Sequence, residues 1–356
     1  MQSNFLLSIY VVTLMRGDTI LGSDIKSDTM IEYCIAAADL YTKRGLDNPF
    51  QPKHEELEEN IPEMLCSGLK KYEAMPDRKE CITDSMFAHI NDLSKESESD
   101  SLISALKDWI CWGRYGGPRR QEWCQKTKSK FCTIPEGEGP AGEALAFRAD
   151  DILFFDKSGR LLDIGRVKFK RAYSASVCWR YQKNKNNGEK ISYYRDDSSP
   201  DWCAVRALWN ISQRAFRFGI PSNEPIAKYR EKNGSISFIT DYHVKALLQK
   251  SAREALNIKD EKVLNKWTSH SIRVTAANEL HRMNFSEAFI KKRLRWKSEA
   301  FLVYLRNTVH NAAAHTARLA KSAIKITDQE RKDIPCIYSA PNRDNNLWEH
   351  RIAIAQ

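Results

Sequence analysis

Two short alternating runs constrain the fold more than any other feature. ASVCWRYQK at 175–183 and EKISYYRD at 189–196 are separated by Asn184-Lys185-Asn186-Asn187-Gly188. Period-two alternation broken by an Asn/Gly turn specifies an antiparallel hairpin. Two further strand-like segments precede it: 144–156 (ALAFRADDILFFD) turns at Lys157-Ser158-Gly159 into 160–169 (RLLDIGRVKF). On both sides of this small sheet the pattern is helical. The run 102–115 (LISALKDWICWGRY) ends at Gly116-Gly117-Pro118, and from residue 200 onward the spacing is helical through 201–218, 241–256, 269–283, 286–296, 298–308 and 310–323. The expected fold is therefore mainly α with a small antiparallel β-sheet.

Residues 1–75 read as a separate helical domain. FLLSIYVVTLM at 5–15 is too short and too interrupted to span a membrane, and it lacks a basic N-terminal flank, so it reads as a buried first helix. A second helix covers 28–46 to Gly45, 53–60 is an acidic helix start, and 63–75 is a further helix stopped by Pro76. The larger domain is expected at 76–325, its first helix over 85–93 capped by Thr83 or Asp84. A tail without clear period occupies 326–356.

Charge separates the two halves as well. Residues 1–100 hold 10 Lys and Arg against 19 Asp and Glu, whereas 101–356 hold 46 against 27. An excess that large favours a polyanion partner, nucleic acid above all. The nine cysteines include no CxxC pair, which argues against a zinc ribbon and a secreted disulfide framework and fits a reducing intracellular compartment.

The chemistry concentrates in 269–308. His270 and Arg273 stand at HxxR spacing, Trp296 follows Arg273 by twenty-three residues, and Tyr304 follows an LRWKS turn. Far upstream, GRYGGPRRQEW at 113–123 places Arg119 and Glu122 after an apolar helix and a glycine turn. By themselves these residues have ordinary readings. Arg119 could be a basic helix C-terminus, His270 and Arg273 an exposed helix face, Lys183 a solvated hairpin lysine, and Trp296 and Tyr304 core aromatics.

Taken together, the segments resemble the tyrosine recombinases of the phage-integrase family. The 269–308 stretch resembles the C-terminal catalytic box, and Gly117-x-Arg119-x-x-Glu122 the first box. The wording of RGDTILGSDIK, DWICWGRYGGPRRQEWCQ, QKNKNNGEKI and LRWKSEAFLVYLRNT is nearest to Crypton-like recombinases of eukaryotic mobile elements. The resemblance implies a helical core-binding (SAM-like) domain followed by a DNA breaking-rejoining catalytic domain.

It also implies a site. Arg119 and Arg273 would hold the scissile phosphate, and Tyr304 would attack it to give a 3′-phosphotyrosyl link. His270 would move the proton of the phenol, Lys183 (or its neighbour Lys185) would protonate the leaving 5′-oxygen, Trp296 would donate to the phosphate, and Glu122 would orient one of these groups. No metal and no cofactor is implied. The partner implied is double-stranded DNA, engaged as a homo-tetramer on two duplexes, with no membrane role. The location implied is intracellular, nuclear in a eukaryotic host. A domesticated DNA-binding protein without chemistry and a type IB topoisomerase are the alternatives.

Two features depart from the family. The Trp-to-Tyr interval is one residue short, and the N-terminal region is acidic where the family clamps DNA. Either its basic residues gather on one face, or it binds weakly or meets protein instead.

Overall fold

The computed structural model describes residues 2–15, 25–46, 48, 65–66, 68, 78–136, 139–140, 142–182, 187–297, 301–302 and 305. Helix is the main element, with a small antiparallel sheet. The chain divides into two compact units, 1–78 and 79–356.

In the first unit, α1 (Gln2–Met15) packs against α2 (Ser27–Lys43). Met30, Cys34 and Ala38 fall four apart along α2 and close on Val11, Leu14 and Cys66. The expectation of a buried first helix needs correction, because Leu6, Ile9 and Tyr10 are exposed. Among the described side chains of α1, Val11 and Leu14 are the buried ones. The helices expected at 53–60 and over most of 63–75 lie outside the described residues.

In the second unit, α3 (Asp84–Lys95) starts at Thr83, whose hydroxyl accepts the Met86 N–H at 3.3 Å. Helix α4 (Leu102–Gly116) carries Trp109 and Trp112 into the centre of the domain. Trp109 stacks on Trp123 with centroids 5.1 Å apart, Trp112 on Trp179 at 5.7 Å, and Phe147 meets Trp179 edge-on at 4.8 Å. Each such ring removes about 150–250 Å² from water, an upper bound of about 4–6 kcal/mol. This aromatic cluster fixes α4 against the sheet.

The sheet runs in the order β2-β1-β3-β4, all antiparallel, with β1 Ile152–Phe155, β2 Leu161–Leu162, β3 Ser174–Trp179 and β4 Glu189–Tyr194. Val177 pairs with Ile191 and Trp179 with Glu189, so the two alternating runs pair antiparallel, as their pattern predicts. Only four residues of 144–156 and two of 160–169 become strand; Ala149–Asp151 is a short 3-10 helix, and Asp151 and Asp156 fold onto nearby backbone amides. The sheet's inner face packs on α5 (Ala204–Arg217), Phe154 meeting Trp209 at 5.0 Å.

The wholly helical reading beyond residue 200 is also corrected. Strands β5 (Lys228–Arg230) and β6 (Ile236–Phe238) form a second hairpin. Its turn carries Asn233, which accepts the Ser235 N–H, and Gly234 at φ +87°. Asn-Gly is a standard hairpin signal, but three-residue strands are too short to show a period.

Helix α6 (Asp241–Ala255) packs on α3, and α7 (Ser269–Arg282) on α4. The α4–α7 approach depends on Gly113, where a Cβ would stand 2.5 Å from Ile272 Cγ2. The last helix described, α8 (Glu287–Arg293), follows a sharp turn at Asn284. The 298–308 and 310–323 helices and the 326–356 tail fall almost wholly outside the described residues. Among the described residues no helix is long and apolar enough to cross a membrane.

Gly117 ends α4 at φ +52°, and a Cβ there would meet Leu294 Cδ2 at 2.9 Å. Gly117→Ala is expected to cost about 1–3 kcal/mol, from the left-handed backbone and the clash together. Thermal unfolding checks this; an unchanged midpoint would mean that α4 can end differently.

Candidate active site

The turn after α4 organises the site. Beyond Gly117-Pro118 the chain enters a one-turn helix, Arg120–Trp123, with Arg119 at its N-cap. Glu122, one turn on, folds back over this start. Its Oε2 accepts the Arg119 backbone N–H at 2.6 Å and its Oε1 accepts the Arg119 guanidinium at 3.1 Å. Glu122 therefore sets both the backbone and the side chain of Arg119. Arg119 thus stands at the start of a helix, not at the C-terminus that its basic character suggests.

Arg273 reaches the same turn from α7. Its guanidinium donates to Gly117 O at 2.5 Å and to Leu294 O at 2.6 Å, joining the end of α4 to the end of α8. Trp296 covers it, with the guanidinium carbon 4.1 Å from the ring centroid, and the indole leans on Phe301 at 5.7 Å. Arg273 is 3% exposed, so it is no part of an open helix face. Arg119, with 26% of its side chain exposed, presents the more open guanidinium.

A third arginine, outside the HxxR spacing, completes the cluster. Arg295 is 2% exposed and sits at φ +60°. It donates to Gly116 O at 3.0 Å and to Glu122 Oε2 at 3.4 Å, and its guanidinium carbon lies 3.1 Å from the Trp179 ring centroid. Its own carbonyl accepts from Arg119 at 3.2 Å. Burial pulls its pKa down to about 10, opposed by the Glu122 carboxylate, so it remains a cation at neutral pH. Its one sequence signal, a place in the LRWKS turn, says nothing of burial.

His270 occupies the first turn of α7, three residues before Arg273 and so on nearly the same face. Burial first, then the charges of Arg273 and Lys79, hold its pKa below the ordinary 6.5. Arg119, Glu122, Arg273 and Trp296 are thus brought together, with His270 beside them. Lys183, Lys185 and Tyr304 lie outside the described residues.

Three guanidiniums against one carboxylate leave the cluster with a surplus of positive charge, and each fork is aimed by carbonyls, a carboxylate or a ring. Such an arrangement suits a tetrahedral oxyanion such as a phosphodiester. Among the described residues, no three His, Cys, Asp or Glu side chains are grouped to hold a metal ion. Among the described cysteines, burial pushes Cys111 up to about 12 and Cys124 well above the usual thiol range, so both are inert core thiols at neutral pH.

The sequence matches no family model and no curated protein. In solved structures, the chain is similar to the Tn1549 transposon integrase in complex with circular intermediate DNA. That likeness has 11% identity and a TM-score of 0.41 over 87% of this chain and 83% of the other. A variant of the same integrase with transposon right end DNA gives 11% and 0.45 over 88% and 84%. The XerA recombinase gives 13% and 0.38 over 90% and 84%.

Proposed function

We propose that this chain is a tyrosine recombinase, which cuts and rejoins duplex DNA through a 3′-phosphotyrosyl link at Tyr304 and serves the integration or excision of a mobile element of Crypton-like type. The observation that carries the reading is the convergence of Arg119, Arg273 and Arg295 with Glu122 on the Gly116-Gly117 turn. The arginines come from segments about 150 residues apart in sequence, and two of them are buried.

Cleavage is an in-line displacement. The Tyr304 phenolate oxygen bonds to phosphorus while the bond to the 5′-oxygen breaks, and negative charge builds on the non-bridging oxygens. Arg119, partly open and aimed by Glu122, neutralises that charge directly. Arg273 backs it from beneath Trp296, and reaches the phosphate itself only when that cover shifts on DNA binding. His270 takes the phenol proton, and Lys183 gives a proton to the departing 5′-oxygen. Attack by that hydroxyl on the phosphotyrosine reverses each transfer and reseals the strand. Four copies on two duplexes would exchange strands. A crosslinked tetramer that fails to form on cognate DNA would remove that part.

The test uses a nicked suicide duplex built from the element's own ends, with chelator present. The expected result is a covalent protein–DNA adduct on a denaturing gel, with the nucleotide mapped by peptide mass to Tyr304. Salt-sensitive binding with no adduct would sink the recombinase and leave a DNA-binding protein. Relaxation of supercoiled plasmid without strand exchange would point to a topoisomerase.

The His270 shift carries a sign that can be read from rates. Surrounding cations and burial disfavour imidazolium, so the neutral, proton-accepting ring persists as pH falls through the ordinary 6.5. Adduct formation at sub-saturating duplex should rise with pH and level off below 6.5. His270→Gln should lose that limb and about 10²–10⁴-fold in rate. A limb centred above 6.5 would contradict the role.

A further inference from the structure

At the other end of the sheet from the arginine cluster, five cations surround a cleft of about 290 Å³. They are Lys157 and Arg160 from the β1–β2 turn, Lys170 and Arg171 from the turn before β3, and Arg195 just after β4. One carboxylate, Asp156, stands among them.

The walls of this cleft are built. Asp156 is held below the usual carboxylate range by the Ser158 hydroxyl and by backbone and side-chain donors of Arg160, so it is committed to shaping the turn. Arg195 is anchored at 2.9 Å on each of the carbonyls of Lys170 and Ala172 and pairs with Asp197 at 3.0 Å. Arg171 approaches Asp156 at 3.8 Å. Lys157 and Lys170 are exposed and make no ion pair with any described residue. Their charge is available to a ligand.

The position of the cleft suggests which ligand. Trp179, against Arg295, ends β3 on the cluster side, and Ser174 and Tyr194 pair at the cleft side. Five steps along the strand separate the two, roughly 17 Å. Between them Arg293 leans on β4, 3.4 Å from Ser192 O and 4.6 Å from the Tyr193 ring centroid. Arg293 thus stands between the arginine cluster and the cleft. A small anion would use the cleft alone; a phosphodiester backbone is long enough to meet cluster, Arg293 and cleft.

We infer that this cleft is a second backbone-phosphate site for duplex DNA, distant from the phosphate that reacts. It rests on the reading of the chain as a DNA-cleaving protein, and it adds a contact that holds the duplex without taking part in chemistry. Lys157 and Lys170 supply the exchangeable charge, and Arg160, Arg171 and Arg195 shape the seat.

The experiment measures affinity for a 30-base-pair duplex by fluorescence anisotropy across a salt series. It compares wild type, Lys157→Ala with Lys170→Ala, and a control, Lys232→Ala with Lys259→Ala, which removes equal charge from exposed positions elsewhere. Each lost phosphate contact lowers the slope of log K against log salt by about 0.9. The cleft pair is expected to lower it by about 1–2, the control pair by much less, and Lys157→Arg with Lys170→Arg to restore it. Equal slopes for wild type and the cleft pair, with wild type binding normally, would overturn the site, as would an equal loss from the control. A lowered slope together with a wild type that forms no adduct would support the cleft and sink the recombinase reading. Absence of duplex binding by wild type would overturn both.

Discussion

Tyr304→Phe should abolish the covalent adduct while changing duplex affinity by no more than about twofold. The substitution removes one oxygen and keeps the ring, so packing volume is almost conserved. In the proposed mechanism that oxygen is the whole of the nucleophile: with no phenolate there would be no bond to phosphorus, and neither the arginines nor His270 would supply one. The effect is therefore a loss to background, larger than that expected for any group that only stabilises charge. Phosphate contacts made elsewhere on the protein are untouched, which is why binding should survive. A denaturing gel for the adduct and anisotropy for the affinity separate the two. An adduct that persists at wild-type yield would place the nucleophile on another residue and remove Tyr304 from the mechanism.

Arg273→Ala should act on both stability and chemistry. In the folded protein Arg273 joins Gly117 O to Leu294 O and carries the Trp296 ring. Alanine leaves two buried carbonyls without this donor and opens space beneath the indole, a cost of about 2–4 kcal/mol. Single-turnover cleavage, measured well below the new unfolding midpoint, should fall by about 10³-fold or more, because the proposed mechanism loses the buried charge that backs Arg119. Arg273→Lys separates these effects. It keeps the charge, but one ammonium can neither bridge the two carbonyls with a planar fork nor lie flat against Trp296. It should recover part of the stability while cleavage stays at least about 10²-fold down, since the charge is no longer held in place. Cleavage at wild-type rate in Arg273→Lys would show that only local charge matters there, and would count against a clamp.

Much of the local architecture was legible because the responsible forces act over a few residues. Thr83 as a helix cap and Gly116-Gly117 as a helix end are decided by side chains and backbone preferences within one turn of chain, and the pairing of β3 with β4 follows two adjacent alternating runs. Arg119 and Glu122 also belong here, since a carboxylate three residues on can fold back to its N-cap whatever surrounds it. The short β5–β6 hairpin has no such signature because three residues cannot display a period, and the exposed side of α1 has none because apolar character does not tell which side will find a partner.

The sequence alone determined the mainly helical character with a small antiparallel sheet, the acidic and basic halves, and the set of residue types suited to phosphate chemistry. Only the tertiary structure decided which of those residues meet, and which are buried. Arg295 shows why. Its place is defined by Trp179, more than a hundred residues earlier, by the carbonyl of Gly116 at the end of α4, and by Glu122. A guanidinium is tolerated at 2% exposure only where charge, ring and carbonyls converge to replace water, and that convergence is a property of packing between distant segments. The cleft of Lys157, Lys170 and Arg195 has the same origin: three turns scattered over forty residues become one positive surface because the antiparallel register brings their ends together.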